Sequence, residues 1–137
     1  MSDAAVLTEI NKKSTIQNVK FFLKDYNKWH LKSMEFSTWL DSSTNTSESS
    51  QLSKAEMECQ LRIQTLAIMR RADQQTAFLA DLLNCRFIKG WQVKKVCESL
   101  AEQYQLGYVA ERTFHRYQNQ ALLIFALTCP RSLFIND

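Results

Sequence analysis

Residues 92–126 read QVKKVCESLAEQYQLGYVAERTFHRYQNQALLIFA, and the spacing of apolar side chains in this stretch decides the fold. Val93, Val96, Cys97, Leu100 and Tyr104 recur at i, i+3, i+4, i+7 and i+11, one continuous helical face over 92–104. Gly107 follows in the short connector QLGYVA, and a further helix begins near Ala110. A helix, a short Gly-containing turn and a second helix make the outline of a helix-turn-helix, placed at about 91–127. At about 100° per residue, Phe114, Tyr117, Ala121, Ile124 and Phe125 fall on one side of the second helix. Arg112, His115, Arg116 and Asn119 fall on the other, with Thr113 and Gln118 flanking them. The face turned from the core thus consists of hydrogen-bond donors. Arg matches guanine O6 and N7, Asn or Gln matches adenine N6 and N7, and a helix N-terminus offers N–H groups to a phosphate. On periodicity alone a solvated amphipathic helix is the better reading.

Upstream of this stretch, Asp73 is a candidate N-cap for a helix in which Thr76, Leu79, Ala80, Leu83 and Phe87 recur at three and four, and Gly90 supplies its left-handed stop. Ser53 and Glu56 form a capping box opening a helix to about Arg71, with Cys59, Ile63, Leu66 and Ala67 on one stripe and Met57, Leu61 and Ile68 beside it. Before it, DSSTNTSESSQLS (41–53) is almost free of apolar side chains. Burial cannot offset its ordering entropy, which predicts a flexible linker. Ser14 and Gln17 form another capping box, and Ile16, Val19, Phe22, Leu23, Tyr26 and Trp29 then predict an amphipathic helix over about 15–34. The aromatic set Phe21, Phe22, Tyr26, Trp29, Phe36 and Trp39 reads as core or dimer surface. The expected organisation is all-α: an N-terminal helical arm (1–40), a polar linker (41–53) and a helical domain (54–137) ending in the helix-turn-helix.

Composition narrows the function. Only 2 Gly and 1 Pro occur in 137 residues, too few for an all-β barrel or a Gly-rich phosphate loop. The polar start and the lack of a long apolar run predict a soluble, cytoplasmic chain with no membrane partner. The formal net charge is +3, and the stretch 84–137 carries seven basic against four acidic residues, while 51–83 is balanced at four against four. Lys89, Lys94 and Lys95 belong to that excess and are candidates for neutralising phosphates. Cys59, Cys85, Cys97 and Cys129 form no C-x-x-C pair and lie far from His30 and His115 in sequence, so no metal or cofactor is expected and the thiols read as free and buried. Glu56 and Glu58, two apart on a helix, do not face each other. With no nucleophile–His–carboxylate pattern either, a non-enzyme is expected.

The segments LLNCRFIKGW (82–91), KKVCESLAEQYQLGY (94–108) and ERTFHRYQNQALLIFA (111–126) resemble the ArpU family of phage transcriptional regulators, whose C-terminal unit is similar to the helix-turn-helix of sigma-factor region four. The family's R-Y-x-x-G segment is matched by Arg86, Phe87 and Gly90. Its S-E-R-T-F-Y-R-x-x-N-x-A-L-x-x-F-A segment is matched by Glu111, Arg112, Thr113, Phe114, Arg116, Asn119, Ala121, Leu122, Phe125 and Ala126. Ala110 stands where that pattern has Ser, His115 where it has Tyr, and the connector is a few residues longer. VKFFLKDYNKW (19–29) looks like the family's first helix. The resemblance implies a sequence-specific DNA-binding regulator of late packaging and lysis genes. Its partners would be double-stranded DNA and host RNA polymerase, and its place the cytoplasm and nucleoid of a bacterial host. Two alternatives stay open: a helical protein–protein module, and a DNA-binding packaging subunit of the small-terminase kind. Leu122, Leu123, Ile124 and the tail LFI (133–135) leave apolar surface for the N-terminal helix or for a second chain in a homodimer.

Overall fold

Asn11 opens the described chain with its side chain accepting a hydrogen bond from the Ser14 N–H, which starts helix α1 at Lys12. The computed structural model describes residues 11–40 and 46–136. Within them the chain is all-helical: α1 (Lys12–Lys24), α2 (Tyr26–Leu40), α3 (Thr46–Ala72), α4 (Gln74–Leu83) continued by a π-helical turn (Asn84–Ile88), α5 (Val93–Gln103) and α6 (Glu111–Thr128). No helix among the described residues is long and apolar enough to cross a membrane.

The front half departs from the sequence expectation in several ways. The N-cap is Asn11 rather than Ser14, and a turn at Asp25 divides the predicted 15–34 helix into α1 and α2. The polar stretch is helical from Thr46, so Ser53 and Glu56 lie inside α3 and cap nothing; residues 41–45 lie outside the described residues. Propensity is a weak prior beside tertiary packing. Here α2 runs along α3, with the Lys54 ammonium 5.7 Å from the Trp29 ring and Ala55 fully buried, which supports helix where composition alone does not. The segment 1–40 is also no separate arm over its described part. Val19 and Leu23 of α1 are fully buried in the same core as Leu79, Leu100, Phe114 and Phe125. The C-terminal tail closes back on α1: Asn11 N–H donates to the Ile135 carbonyl at 2.9 Å, and Asn18 Nδ2 to the Leu133 carbonyl at 2.8 Å.

The core of α3 is rotated from the apolar reading. Its buried stripe is Ala55, Glu58, Cys59, Arg62, Thr65, Leu66 and Met69, while Met57, Ile63 and Ile68 are exposed. The cause is an ion network taken inside. Arg62, 1% exposed, donates from Nη1 to Glu58 Oε2 at 2.9 Å and from Nε to the Phe22 carbonyl at 2.9 Å. Arg131 from the tail grips the same carboxylate with two donors, at 2.6 and 2.9 Å. The short bonds to Arg131 hold the Glu58 carboxyl down at about 2 against the opposing effect of burial, with Arg62 assisting. Both guanidinium groups also lie over the Phe22 ring. A polar stripe of this kind carries no hydropathy signal.

The back half follows the sequence closely. Asp73 caps α4 through the Thr76 N–H at 2.7 Å, and Gly90 has φ +72° where the chain leaves the π-turn. The four cysteines are free and buried.

Candidate nucleic-acid interface

Three contacts fix the ground on which α6 stands. Asp81 of α4 accepts from Arg70 Nε at 2.9 Å, from Gln103 Nε2 at 3.1 Å and from the Tyr104 hydroxyl, joining the ends of α3 and α5 at the entrance to the turn. Burial, then the Asp81 carboxylate, pushes the Tyr104 phenol well above its usual value, so it stays a donor. Phe78 meets the rings of Tyr104 and Tyr117 edge-on, with centroids 5.0 and 5.3 Å apart. The chain then reverses through two left-handed residues, Gln105 (φ 54°) and Gly107 (φ 76°), and the Leu106 N–H donates to the Ala101 carbonyl. Ala110, extended at φ −70° and ψ 148°, opens α6 with no side-chain cap.

The inner face of α6 is anchored by Phe114, Ala121, Leu122 and Phe125, all fully buried, in one core with Val96, Cys97 and Leu100 of α5. Arg112, His115, Arg116 and Asn119 are all exposed, within about 100° of arc on the helix surface. Thr113 is half-buried at its edge. Gln118 is a correction. At 4% exposed it belongs to the buried side, because its position lies nearer Phe114 and Leu122 on the helical wheel than the outer arc. Its Oε1 is buried with no hydrogen-bond partner among the described residues, so it is not available to a ligand approaching the exposed face.

The three lysines are exposed but divided. Lys89 and Lys95 both lie over the Trp91 ring, 4.6 and 4.1 Å from its centroid, and Arg86 Nη1 donates to the Trp91 carbonyl at 3.1 Å. Lys94 instead lines a groove between α5 and the turn, beside Glu98 and Glu102. No described contact joins the Trp91 cluster to the α6 arc.

The basic side chains of this region are largely unpaired. Among the described residues Arg112, Arg116, Lys89, Lys94 and Lys95 have no carboxylate within salt-bridge distance, while His115 Nε2 lies 3.7 Å from Glu111 Oε1. Unpaired guanidinium groups beside an amide suit phosphate oxygens and base edges. No group of three or more His, Cys, Asp or Glu among the described residues is placed to hold a metal ion. Sequence reasoning did not pick out Asp81, whose role depends on residues 11, 22 and 23 positions away. Glu58, which the sequence sets only beside Glu56, is joined with Arg62 and Arg131 by the fold alone. The chain matches no protein-family model, no curated protein and no solved structure.

Proposed function

We propose that this chain is a sequence-specific DNA-binding transcriptional regulator of the ArpU kind, reading duplex DNA with the exposed arc of α6 and controlling late phage genes for packaging and lysis. One observation supports it above the rest: four donor side chains, Arg112, His115, Arg116 and Asn119, stand exposed on a helix whose opposite face is fully buried. A rigid rod with donors on its free flank fits the major groove. In this reading Lys89 and Lys95 neutralise phosphates and fix register, while the arc discriminates bases; Lys94 stands among the carboxylates of Glu98 and Glu102 and is given no phosphate. The protein acts as a homodimer on paired half-sites, contacts host RNA polymerase, and works in the bacterial cytoplasm on nucleoid DNA.

Selection from random duplex DNA with purified protein tests this. The expected outcome is enrichment of a short motif whose half-site spacing reports the dimer. The logarithm of affinity should fall with that of salt, with a slope of about −0.9 per phosphate neutralised. No enrichment and no duplex affinity at low salt would overturn the reading.

A second reading, a helical protein–protein module, is favoured by Leu31, Met34 and Met57 on α2 and α3, which are 56%, 56% and 71% exposed. It requires no duplex affinity at any salt concentration. A packaging subunit would bind DNA but run as a large ring on sizing.

A further inference from the structure

Beside the arc, between α5 and the 104–110 turn, lies a groove of about 630 Å³. Its apolar lining comes from Val93, Cys97, Ala101 and Val109, of which Cys97 and Val109 are buried. Around it stand the carboxylates of Glu98, Glu102 and Glu111 with one cation, Lys94. Among the described residues neither Glu98 nor Glu102 is paired with a basic side chain, and Glu111 has only His115 at 3.7 Å. Tyr108 stands on the rim with 80% of its surface in solvent.

We propose that this groove is a docking site for a basic amphipathic segment of a partner protein, which seats an apolar side chain between α5 and the turn and lays its Lys or Arg side chains on the carboxylate rim. The volume, about 630 Å³, matches that of clefts that bury a small ligand, so it has room for an apolar side chain. The rim carries two negative charges in excess, so charge complementarity selects a cationic occupant. The buried Cys97 thiol senses the same field: burial raises its pKa first, and Glu111 and Glu98 raise it further. The exposed Tyr108 ring offers a face to an arginine or lysine and belongs to the aromatic class that anchors interfaces. Nucleic acid fits poorly, because its phosphates would meet three carboxylates. The proposal does not rest on the DNA reading. It places a protein contact next to the first turn of α6, on a surface of opposite charge character to the arc.

Three helical peptides test it: one of Leu and Lys patterned to one apolar face, one with Glu in place of Lys, and one with Ser in place of Leu. Binding is measured by fluorescence anisotropy and mapped by amide chemical-shift changes in the full chain. The Leu/Lys peptide is expected to bind with its largest shifts at Ala101, Tyr108 and Val109. The double variant E98Q/E102Q, altered only at exposed positions, should weaken it about tenfold with an unchanged thermal midpoint. The other two peptides should bind far more weakly. The proposal is overturned if the Leu/Lys peptide does not bind, if either control binds equally well, if the shifts map elsewhere, or if E98Q/E102Q leaves affinity unchanged. Duplex DNA producing the same shifts would assign the groove to nucleic acid and likewise overturn it. Duplex affinity of E98Q/E102Q, measured separately, reports on the α6 reading alone, so the two can fail independently.

Discussion

Arginines serve two regions of this molecule in opposite ways. At the junction of α1, α3 and the tail, Arg62 and Arg131 converge on Glu58, and Arg62 also donates to the Phe22 carbonyl. On α6, Arg112 and Arg116 are exposed with no carboxylate partner among the described residues, and the Arg116 guanidinium lies 5.5 Å from its neighbour's ring at Tyr117. The first pair is committed to holding three segments together; the second contributes little to folding and is available to a ligand. A buried charge must be matched or it destabilises, whereas an exposed one is solvated at little cost. The same residue type should therefore matter to stability in the Glu58 cluster and to binding on α6.

Glu58→Ala strikes the committed region hardest. It leaves Arg62, 1% exposed, without its carboxylate and frees Arg131 from the tail, so a loss of about 3–5 kcal/mol in urea unfolding is expected. Arg112→Ala should change stability by no more than about 0.5 kcal/mol in the same assay. Similar losses in the two variants would erase the distinction between the two regions.

Acid probes the same clamp without mutation. The Glu58 carboxyl is held at about 2 in the folded chain against its ordinary 4.5. A lowered folded value means the contribution is fully present above pH 4.5 and is lost as pH falls from there toward 2. The difference corresponds to about 3 kcal/mol. Urea midpoints of the parent chain should drop across that window more than those of Glu58→Gln. Parallel curves would show that other carboxylates carry the acid sensitivity.

In the available region the readout is DNA. Arg116→Ala should remove about 1–3 kcal/mol of affinity for a selected site while barely changing affinity for random duplex. Lys95→Ala should weaken both alike and reduce the salt slope by about one. Equal effects of the two variants on both duplexes would mean that α6 supplies charge and no base discrimination.

How much of this was legible in the sequence differs between the front and back halves of the chain. From Asp73 onward, apolar spacing, the Asp73 cap, Gly90 and Gly107 place the three α-helices, because each signal there is local and agrees with the packing, while the π-helical turn over Asn84–Ile88 and the left-handed Gln105 carry no such signal. In the front half, tertiary contacts override the local signals. The stretch from Thr46 is helical although its side chains are polar, and the inner stripe of α3 hides Glu58 and Arg62 among apolar residues. A stripe containing two opposite charges four apart reads as a solvated face unless the third partner, 73 residues away from Glu58, is known. On α6 the hydropathy pattern separated the two faces correctly but left Gln118 on the boundary. Its amide is long enough to be polar by type and buried by position, and only packing decides between these.

The smallest expected effect tests how α6 begins. Ala110 has the extended backbone of an N-cap but no side-chain acceptor, so the first-turn N–H groups of α6 lack the bond a serine would supply. Ala110→Ser should stabilise the chain by about 1 kcal/mol, seen as a higher urea midpoint. The substitution leaves Arg112, His115, Arg116 and Asn119 unaltered, so affinity for a selected duplex should stay within about twofold of the parent. A rise in stability accompanied by a clear fall in affinity would carry a different meaning. The added hydroxyl would then be competing with a phosphate for those N–H groups, and the interface would extend from the side-chain arc to the end of the helix itself.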